Sequence, residues 1–500
     1  MMNIATDLNL YKGALIMAEN PRKHVLCPYC CHKFHPNEAD FRLNSAITAG
    51  KTTTKTSKGT KKKKPESASK IQDEKLYAYN RDILENTAAE SKKNSMQFLA
   101  LSLDSENVKY SESELERSGF VQRITYTDPQ GKQHSTEKRL CPNCHNTLPI
   151  GYGMRESLLI SILGDARSGK SVFLTMLIDE LENNTDLISK LTFIGDKRVR
   201  ESFMENYQKP LLKDHTLISS TKRRRIPPFA FNFWYQYKAE DGTFKENTLD
   251  IIFYDIAGED LRDESAIRKN GFNIRDSSGL LFLADPTNFS QLTDLFRFSD
   301  NALIDAIPKD NSNQDIFSTL YNYFIGFEKD KSPIPFALVL SKADLFNYVN
   351  FDFFNNKPEN RIQNLLPEEE HKGAVNMRCV KGLNLEVREL LTYLNEESIL
   401  NNAMGCFKNV GCFALSSLGK KPSSEQISDP KTNETVEQGF IDGPPEPFRV
   451  KEAFYWILMK NSLLYKFEND RYTKTGQVKL LPPKPLSLWG RILSLFKSAA

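Results

Sequence analysis

The sequence predicts a three-layer α/β fold with a mostly parallel sheet and one antiparallel strand, preceded by a small zinc-ribbon module. Three observations predict this architecture. An apolar strand, a glycine-containing loop and a segment with helical spacing follow one another over 157–182. Further apolar strands alternate with helical segments, which is typical of parallel sheets. Two C-P-x-C pairs lie near the start of the chain, and cysteine pairs of this spacing are typical zinc ligands.

The composition allows a sizeable core and shows no global preference for nucleic acid. The chain has 500 residues, 39% of them hydrophobic, and a net charge of only +3. This length favours two to three domains. The charge is uneven, since 52–70 is strongly basic and nearly free of apolar residues. No apolar run is long enough to predict a membrane span, and the start lacks the pattern of a secretory signal. We therefore expect a cytoplasmic protein.

Two cysteine pairs, Cys27 with Cys30 and Cys141 with Cys144, predict a zinc site. Two residues between cysteines let a tight turn direct both thiolates at one tetrahedral Zn²⁺. Without an export signal, metal binding is favoured over disulfides. The pairs are separated by 31–140, which is tolerable because loop-closure entropy grows only logarithmically with length. Within this insertion, the composition of about 45–75 predicts disorder.

Residues beside the cysteine pairs leave alternatives open. Four of them are either substitute ligands or polar neighbours of the ribbon: Cys31, His32, His35 and His145. The cysteines elsewhere in the chain are interpreted as buried hydrophobes: Cys379, Cys406 and Cys412. A ribbon of this kind either staples the fold or docks nucleic acid or protein, and its own residues do not choose between these roles.

The segment GDARSGKS (164–171) predicts a phosphate-binding loop, because it fits G-x-x-x-x-G-K-[ST] between a strand and a helix. Its glycines permit backbone dihedrals that turn amide groups towards phosphate oxygens, and the helix N-terminus adds its dipole. Lys170 is expected to reach the β- and γ-phosphates, and the Ser171 hydroxyl to bind Mg²⁺. The predicted nucleotide contacts are Gly164, Asp165, Ala166, Arg167, Ser168, Gly169, Lys170 and Ser171.

A charge-rich insertion follows, and then a predicted hairpin. Aromatic residues alternate over 229–237, as in a half-buried strand. The second strand, 248–255, ends in Asp255-Ile256-Ala257-Gly258. Such a hairpin implies one antiparallel strand beside an otherwise parallel sheet. A carboxylate at the end of this strand can hold Mg²⁺ through water, and Gly258 lets a backbone amide approach the γ-phosphate.

Two later strands end in motifs that predict recognition of guanine. The strand 335–346 ends in Ser341-Lys342-Ala343-Asp344. A carboxylate at Asp344 can accept hydrogen bonds from guanine N1 and N2, donors that adenine lacks, while the Lys342 stem packs along the base. The strand 411–419 ends in Ser416-Ser417-Leu418. This segment is similar to the S-A-[KL] loop, in which a backbone amide contacts guanine O6.

In this order, the four motifs resemble those of TRAFAC-class P-loop GTPases, over roughly 155–465. A C-P-x-C ribbon that leads into such a domain is similar to the bacterial double-GTPase 2 group, and 449–460 is a candidate closing helix. The resemblance implies the P-loop GTPase fold, GTP and GDP as ligands, and Mg²⁺ as cofactor beside the predicted Zn²⁺. It also implies a switch that acts on partner proteins in bacterial conflict or defence systems.

The chain departs from the GTPase pattern near the γ-phosphate. Glu259 occupies the position where Ras-like enzymes have the glutamine that orients the attacking water. An acidic residue there also repels the γ-phosphate, so we expect slow or partner-activated hydrolysis. Thr221, or alternatively Thr216, is expected to complete Mg²⁺ coordination. The basic run 222–225 is either a source of a charge-neutralising arginine or a solvated loop.

We therefore predict three regions: a zinc-ribbon module (1–150), a GTPase domain (151–465) and a C-terminal tail (466–500). Within the GTPase domain, 385–403 is a predicted helix and 420–447 a linker or loop. The tail carries a short amphipathic segment, 489–496, which docks on its own protein, a partner or a membrane surface. The leading hypothesis is a GTP-binding switch with slow Mg²⁺-dependent hydrolysis that controls partner proteins. The alternatives are a nucleic-acid-associated NTPase that uses the ribbon and the basic tract, and a non-hydrolysing nucleotide-bound scaffold.

Overall fold

A computed structural model of the chain describes these residues: 24–44, 73–84, 98–165, 167–183, 189–195, 197–218, 227–238, 244–256, 258–261, 267, 272–289, 291–292, 312–325, 330–348, 374–428, 435–469 and 478–481. They divide into two compact units with a boundary after Ser157, and Ile194 also belongs to the first unit. Among the helices in these ranges, none combines the length and apolar character needed to cross a membrane.

The first unit is built from short strands and two helices within its described residues. Its elements are β1 (Val25–Leu26), β2 (Lys33–Phe34), β3 (Asp40–Asn44), α1 (Glu74–Leu84), β4 (Phe98–Leu101), β5 (Val108–Lys109), α2 (Glu112–Ser118), β6 (Ile124–Thr127), β7 (Gln133–Thr136) and β8 (Arg139–Leu140). The strands form the sheets β1–β2, β4–β3–β8 and β5–β6–β7, and every pair is antiparallel. A small core of Phe41, Leu43, Leu101, Val121 and Ile124 lies between these elements.

The second unit contains, within its described residues, a seven-stranded mixed sheet. The strands are β9 (Glu156–Gly164), β10 (Ser189–Phe193), β11 (Phe229–Lys238), β12 (Phe244–Asp255), β13 (Gly279–Ala284), β14 (Ser332–Leu340) and β16 (Phe407–Ala414). Their order is β10-β11-β12-β9-β13-β14-β16. The pairs β9–β13, β13–β14 and β14–β16 are parallel, and β11 is antiparallel to both its neighbours. The α/β fold class predicted from the sequence is confirmed.

Helices pack against this sheet. They are α3 (Lys170–Glu182), α4 (Lys197–Phe203), which continues as a π-helix over Met204–Lys213, α5 (Phe272–Arg275), α6 (Ser312–Ile325), α7 (Met377–Tyr393), α8 (Glu397–Cys406) and α9 (Glu452–Lys460). Short 3-10 helices span Pro36–Glu38, Gly258–Leu261, Pro286–Asn288 and Ala343–Tyr348. Two further sheets are β15 (Ala374–Asn376) with β19 (Tyr465–Asn469) and β20 (Val478–Leu481), and the hairpin β17 (Ser423–Ser428) with β18 (Thr435–Phe440).

Helix α9 closes the core of the second unit, as expected for the segment 449–460. The Phe454 ring contacts those of Phe233 and Phe253 on neighbouring strands. Gly279 lets the helix approach β13, since a Cβ there would lie 2.4 Å from the side chain of Ile457. The cysteines interpreted as buried hydrophobes, Cys379, Cys406 and Cys412, belong to the same core.

Three segments contain structure that was not predicted from the sequence. The charge-rich insertion after α3 contains β10 and α4. The predicted helix 385–403 is two helices, because Asn395 adopts a left-handed conformation (φ 54°) between α7 and α8, which asparagine tolerates better than most residues. The predicted linker 420–447 contains the hairpin β17–β18. Pairing with neighbouring strands, rather than local apolar pattern, creates β10 and the hairpin.

Candidate functional site

The loop between β9 and α3 has the geometry of a phosphate cradle. Gly164 adopts φ 141°, and a Cβ there would lie 2.5 Å from the Leu283 carbonyl oxygen and 2.8 Å from Ser168 Oγ. Only glycine fits this position. Gly169 adopts φ 87° as the N-cap of α3, and a Cβ there would meet nothing within 4 Å. The loop therefore turns sharply at one glycine and leaves open space beside the other, at a helix N-terminus.

Lys170 brings a buried cation into this cradle. Its Nζ donates to the carbonyl oxygens of Gly164 at 2.9 Å and Asp165 at 2.6 Å. Burial lowers the pKa of the ammonium, a shift opposed by the carboxylates of Asp255, Asp165 and Asp285. A desolvated ammonium attracts a polyphosphate more strongly than an exposed one, because the low local dielectric weakens screening.

Ser171 and Asp255 form the pair expected to face a magnesium ion. Ser171 Oγ donates to Asp255 Oδ2 at 2.6 Å. Burial raises the pKa of the Asp255 carboxyl, whereas Lys170 and the Ser171 hydroxyl act in the opposite direction. Asp255 Oδ1 is buried and has no hydrogen-bond partner within the described part of the chain. Hydroxyl and carboxylate oxygens are the ligands that Mg²⁺ prefers, so the residues present fit this ion.

Of the other residues predicted near the phosphates, the structure describes some and leaves others outside its described ranges. Arg167 is exposed, with a left-handed backbone (φ 66°), and Gly258 begins a 3-10 helix. Ser168 Oγ is buried without a hydrogen-bond partner among the described residues. Several predicted positions lie outside the described residues: Ala166, Thr221, the run 222–225 and the segment 489–496. The side chain of Glu259 is also outside them.

The alternative switch threonine, Thr216, lies between the π-helix and the hairpin. Its amide and hydroxyl both donate to the Pro210 carbonyl oxygen, at 2.8 and 3.3 Å. Next to it, the Leu217 amide donates to the Gly439 carbonyl oxygen of β18 at 2.8 Å. Thr216 is thus held in place by other parts of the protein.

On the base side, Asp344 lies in a loop braced from two strands. Burial raises the pKa of its carboxyl, while the Ser416 hydroxyl donates to it and acts in the opposite direction. Ser341, which replaces the usual asparagine, uses both its amide and its hydroxyl to donate to the Ala284 carbonyl oxygen, at 3.0 and 3.2 Å. The substitution by serine therefore keeps a brace between β14 and β13.

Backbone hydrogen bonds hold the loop after β16 against residues 446–448. Ser416 exchanges backbone hydrogen bonds with Phe448, at 3.2 and 2.9 Å, so its amide is occupied. The Ser417 amide has no hydrogen-bond partner in the described ranges. It is the amide that the motif assigns to guanine O6. Gly419 (φ 71°) allows residues 446–448 to approach this loop, because a Cβ there would lie 1.8 Å from the Glu446 carbonyl oxygen.

Two residues that contact predicted site residues were not identified from the sequence, Asp285 and Asn288. Asp285 Oδ2 accepts from Lys342 Nζ at 2.6 Å, and Asn288 Nδ2 donates to Asp165 Oδ2 at 3.3 Å. The only sequence signal is Asp285-Pro286 after a buried strand, which is typical of an N-cap followed by proline at the first helical position. That signal indicates a turn, and nothing in it indicates a contact with Lys342.

The loops predicted to bind the phosphates and the base lie along one edge of the sheet. Gly164 is opposite Leu283, Ala284 is opposite Leu340, and Leu340 is opposite Ala414, all in parallel pairs. The loops that follow these strands therefore meet at the carboxyl ends, where ligands bind in open α/β sheets. A chain of contacts from Lys170 through Asp165, Asn288 and Asp285 reaches Lys342, and its middle link is the hydrogen bond from the Asn288 backbone amide to the Asp285 carbonyl oxygen.

The first unit brings together the sulfur atoms of Cys27, Cys30, Cys141 and Cys144. Cys27 Sγ lies 3.7 Å from Cys144 Sγ, Cys30 Sγ lies 3.7 Å from Cys141 Sγ, and all four lie within 4.8 Å of one another. Four sulfurs about 2.3 Å from a tetrahedral Zn²⁺ would be separated by about 3.8 Å. The donor set and its spacing therefore fit zinc.

The two cysteine pairs have matching backbone geometry. The amides of Cys31 and His145 donate to the carbonyl oxygens of Cys27 and Cys141, at 3.0 and 2.9 Å. Both donor residues are left-handed, with φ of 52° and 51°. Backbone amides of Tyr29 and Asn143 donate to the sulfurs of the same two cysteines, which stabilises thiolates.

The proposed substitute ligands lie outside this cluster. His145 Nδ1 contacts Asp73 Oδ2 at 2.6 Å, and its Nε2 contacts Asp40 Oδ2 at 2.9 Å. Burial lowers the pKa of His145, but the two carboxylates outweigh it and raise the pKa to about 9. His35 Nδ1 accepts from the Asn37 amide at 3.1 Å and caps a 3-10 helix. These histidines therefore hold the loops around the cysteines.

Comparison with known proteins agrees with this geometry. Residues 158–382 match the family model "Double-GTPase 2". SaeC of Mycolicibacterium smegmatis, proposed to be an ESX-1 scaffolding and assembly protein, is 23% identical over 312 residues, which cover 58% of this chain and 74% of SaeC.

Two solved structures show low overall similarity to the chain. The SRb-GTP/SRX complex of the signal recognition particle receptor from Chaetomium thermophilum has a TM-score of 0.24 and 12% identity, and the match covers 54% of this chain and 94% of that one. The GTP-bound Ski7 GTPase-like domain of S. cerevisiae has a TM-score of 0.24 and 15% identity, covering 58% of this chain and 48% of that one. Because these TM-scores are low, the resemblance to GTPases depends on the family match and on the sequence of the phosphate loop instead. Over residues 158–382 the chain therefore resembles the Double-GTPase 2 family.

Proposed function

We propose that this protein is a GTP-binding switch with slow, Mg²⁺-dependent GTP hydrolysis that controls protein partners. One observation carries the proposal: the Lys170 loop and the Asp344 loop follow strands of one parallel set and lie at the same edge of the sheet. A site that holds phosphates at one end and a purine at the other needs this arrangement.

At the phosphate end, the protein's own groups are charged and preorganised. The Lys170 ammonium is already desolvated, so it approaches phosphate oxygens without losing a hydration shell. The amides at the N-terminus of α3 add the positive end of the helix dipole. Ser171 and Asp255 would hold Mg²⁺, which when bound neutralises charge on the phosphates. Thr221 is proposed to join them in the GTP-bound state.

At the base end, Asp344 is proposed to select guanine. A buried carboxylate accepts two hydrogen bonds from guanine N1 and N2, whereas adenine would leave it unpaired. The Ser416 hydroxyl orients this carboxylate, and the Ser417 amide is proposed to contact guanine O6. The Lys342 stem is proposed to pack along the ring.

Slow hydrolysis is proposed because Glu259 replaces a neutral glutamine. A carboxylate at this position would orient the attacking water less favourably than glutamine, and its negative charge would repel the γ-phosphoryl group in the transition state as well as in the ground state. A partner protein, or an arginine from 222–225, would then supply the missing charge. Loss of the γ-phosphate would release Gly258 and Thr221, which changes the surface that partners contact.

The proposed partners are proteins, and a role in a bacterial conflict or defence system is part of the proposal. The description of SaeC as a scaffolding and assembly protein favours a second candidate, a nucleotide-bound scaffold without turnover. Single-turnover hydrolysis of GTP by the full chain, with and without cell extract, separates the two. A scaffold shows no phosphate release under either condition, and a partner-activated switch releases phosphate faster with extract.

Asp344→Asn tests base selection. The amide of asparagine presents a donor where guanine needs an acceptor, so GTP affinity should fall and xanthosine triphosphate should bind better than GTP. Two lost charge-assisted hydrogen bonds weaken GTP binding by at least about a hundredfold. Competition of GTP, xanthosine triphosphate and ATP against fluorescent GDP measures the change. The control, Asp330→Asn, alters an exposed carboxylate and should leave the order unchanged. A variant that still prefers GTP over xanthosine triphosphate would remove Asp344 from the base site.

A further inference from the structure

We propose that Asp285 is a positioning residue that sets guanine selectivity by anchoring Lys342 and, through it, the loop that carries Asp344. This inference rests on the proposed function, since it concerns the same nucleotide site. It assigns a role to a residue that lies in no nucleotide-binding motif of the sequence.

The contact between Asp285 and Lys342 is short, and its acidic partner is buried, whereas the Lys342 side chain is 36% exposed. Lys342 Nζ donates to Asp285 Oδ2 at 2.6 Å, and the Asp285 side chain is 2% exposed. The residues are 57 positions apart, at the ends of the neighbouring strands β13 and β14. Because the Asp285 carboxylate is buried, solvent screens this charge-assisted hydrogen bond less than one between two exposed side chains. This pair therefore ties the end of one strand to the end of the next.

Asp285 is itself held in one orientation. Its Oδ1 accepts from the Thr287 amide at 3.0 Å and from the Thr287 hydroxyl at 2.7 Å. Asp285 thereby caps the 3-10 helix Pro286–Asn288. One carboxylate oxygen fixes the side chain, and the other is aimed at Lys342. An anchor that is already fixed loses little further conformational entropy when it holds the ammonium.

Lys342 needs such an anchor because its backbone is strained. It adopts φ 53°, a left-handed conformation that is uncommon for lysine. Residues held there cost free energy and persist only when surrounding contacts determine them. Flanking hydrogen bonds contribute, from the Ser341 amide to Ala284 and from the Ala343 amide to Leu415. The ion pair adds the side-chain constraint at the strained residue itself.

The consequence falls on Asp344, two residues further along. If Lys342 relaxes, the 3-10 helix Ala343–Tyr348 begins from a different backbone direction, and the Asp344 carboxylate moves from its position beside Ser416. Hydrogen bonds to guanine depend steeply on direction, so GTP should lose affinity. ATP makes no such hydrogen bonds and should be little affected. Selectivity is therefore the readout that separates positioning from general stability.

The test compares Asp285→Asn with Lys342→Met and the double variant in the full chain. Asparagine keeps an oxygen for the Thr287 cap but loses the charge that holds Lys342, and methionine keeps the stem but loses the ammonium. Affinities for GTP and ATP with Mg²⁺ are measured by competition against fluorescent GDP, and melting temperatures are recorded for every variant. The control is Asp330→Asn, an exposed carboxylate.

We expect the ratio of GTP to ATP affinity to fall about tenfold in each single variant, equivalent to ~1.4 kcal/mol, and no further in the double variant. Equal losses for GTP and ATP, or an unchanged ratio, would overturn the role of Asp285. Additive losses in the double variant would also overturn it, because the two residues would then act independently. Should Asp285→Asn fail to fold, the ratio for Lys342→Met decides. If the unaltered protein did not prefer GTP over ATP, the proposed function itself would fail, an outcome distinguishable before any variant is made.

Discussion

Lys170→Ala is expected to abolish nucleotide binding. The substitution removes the buried ammonium that occupies the cradle and lies near three carboxylates, those of Asp255, Asp165 and Asp285. Without the cation, phosphates would meet these carboxylates uncompensated. Losing two charge-assisted hydrogen bonds costs roughly 3–6 kcal/mol, so affinity should fall at least about a hundredfold.

Titration of fluorescent GDP and GTP with Mg²⁺ measures this loss. Lys381→Ala provides a matched control, because Lys381 is an exposed lysine of the same domain and its removal should leave affinity unchanged. A melting curve shows whether the Lys170 variant remains folded. Retained micromolar affinity for GTP in a folded Lys170→Ala protein would refute the assignment of the phosphate loop.

Cys141→Ser is expected to release zinc and to destabilise the first unit. Four sulfurs converge from two turns far apart in the sequence, so a metal there would close a long loop in a unit whose core is small. Structural zinc sites contribute about 10–16 kcal/mol of apparent binding free energy, which is coupled to folding. Replacing one thiolate by a weakly ligating hydroxyl removes a large share of that stabilisation.

Zinc content per chain and protease resistance of the first unit check this expectation. Cys379→Ser is the control, since Cys379 lies in the core of the second unit and its replacement should leave zinc content unchanged. A strong chelator should reproduce the effect of Cys141→Ser on the unaltered protein. Equal zinc content in Cys141→Ser and the unaltered chain would end the zinc-ribbon assignment.

Much of the fold could be predicted because its signals are local. The apolar run of β9, the glycines of the loop and the helical spacing of α3 lie within 27 consecutive residues, 156–182. Each responds to a constraint that acts within a few residues: burial of a strand, positive φ at Gly164 and Gly169, and a helix that begins at a glycine N-cap. The strand β10 escaped prediction because its five residues are stabilised mainly by pairing with β11.

The hairpin within 420–447 could not be predicted, for a similar reason. Its polar, proline-containing composition favours a loop. In the structure, however, the Gly439 carbonyl oxygen accepts a hydrogen bond from the Leu217 amide, and the Glu446 amide donates to the Leu418 carbonyl oxygen. These contacts join residues far apart in the chain. Their pattern depends on where the sheet brings chain segments, which local composition does not record.

The sequence by itself determined the strand–loop–helix over 156–182, the residue types proposed to bind phosphate, magnesium, guanine and zinc, and the fold class. Only the tertiary structure decided which of those residues meet. It placed the sulfurs of two distant cysteine pairs within 4.8 Å and joined Asp285 to Lys342 across neighbouring strands. The physical reason is that propensity and periodicity act over a few residues, whereas contacts between distant side chains depend on the register of the sheet and on the packing that buries them.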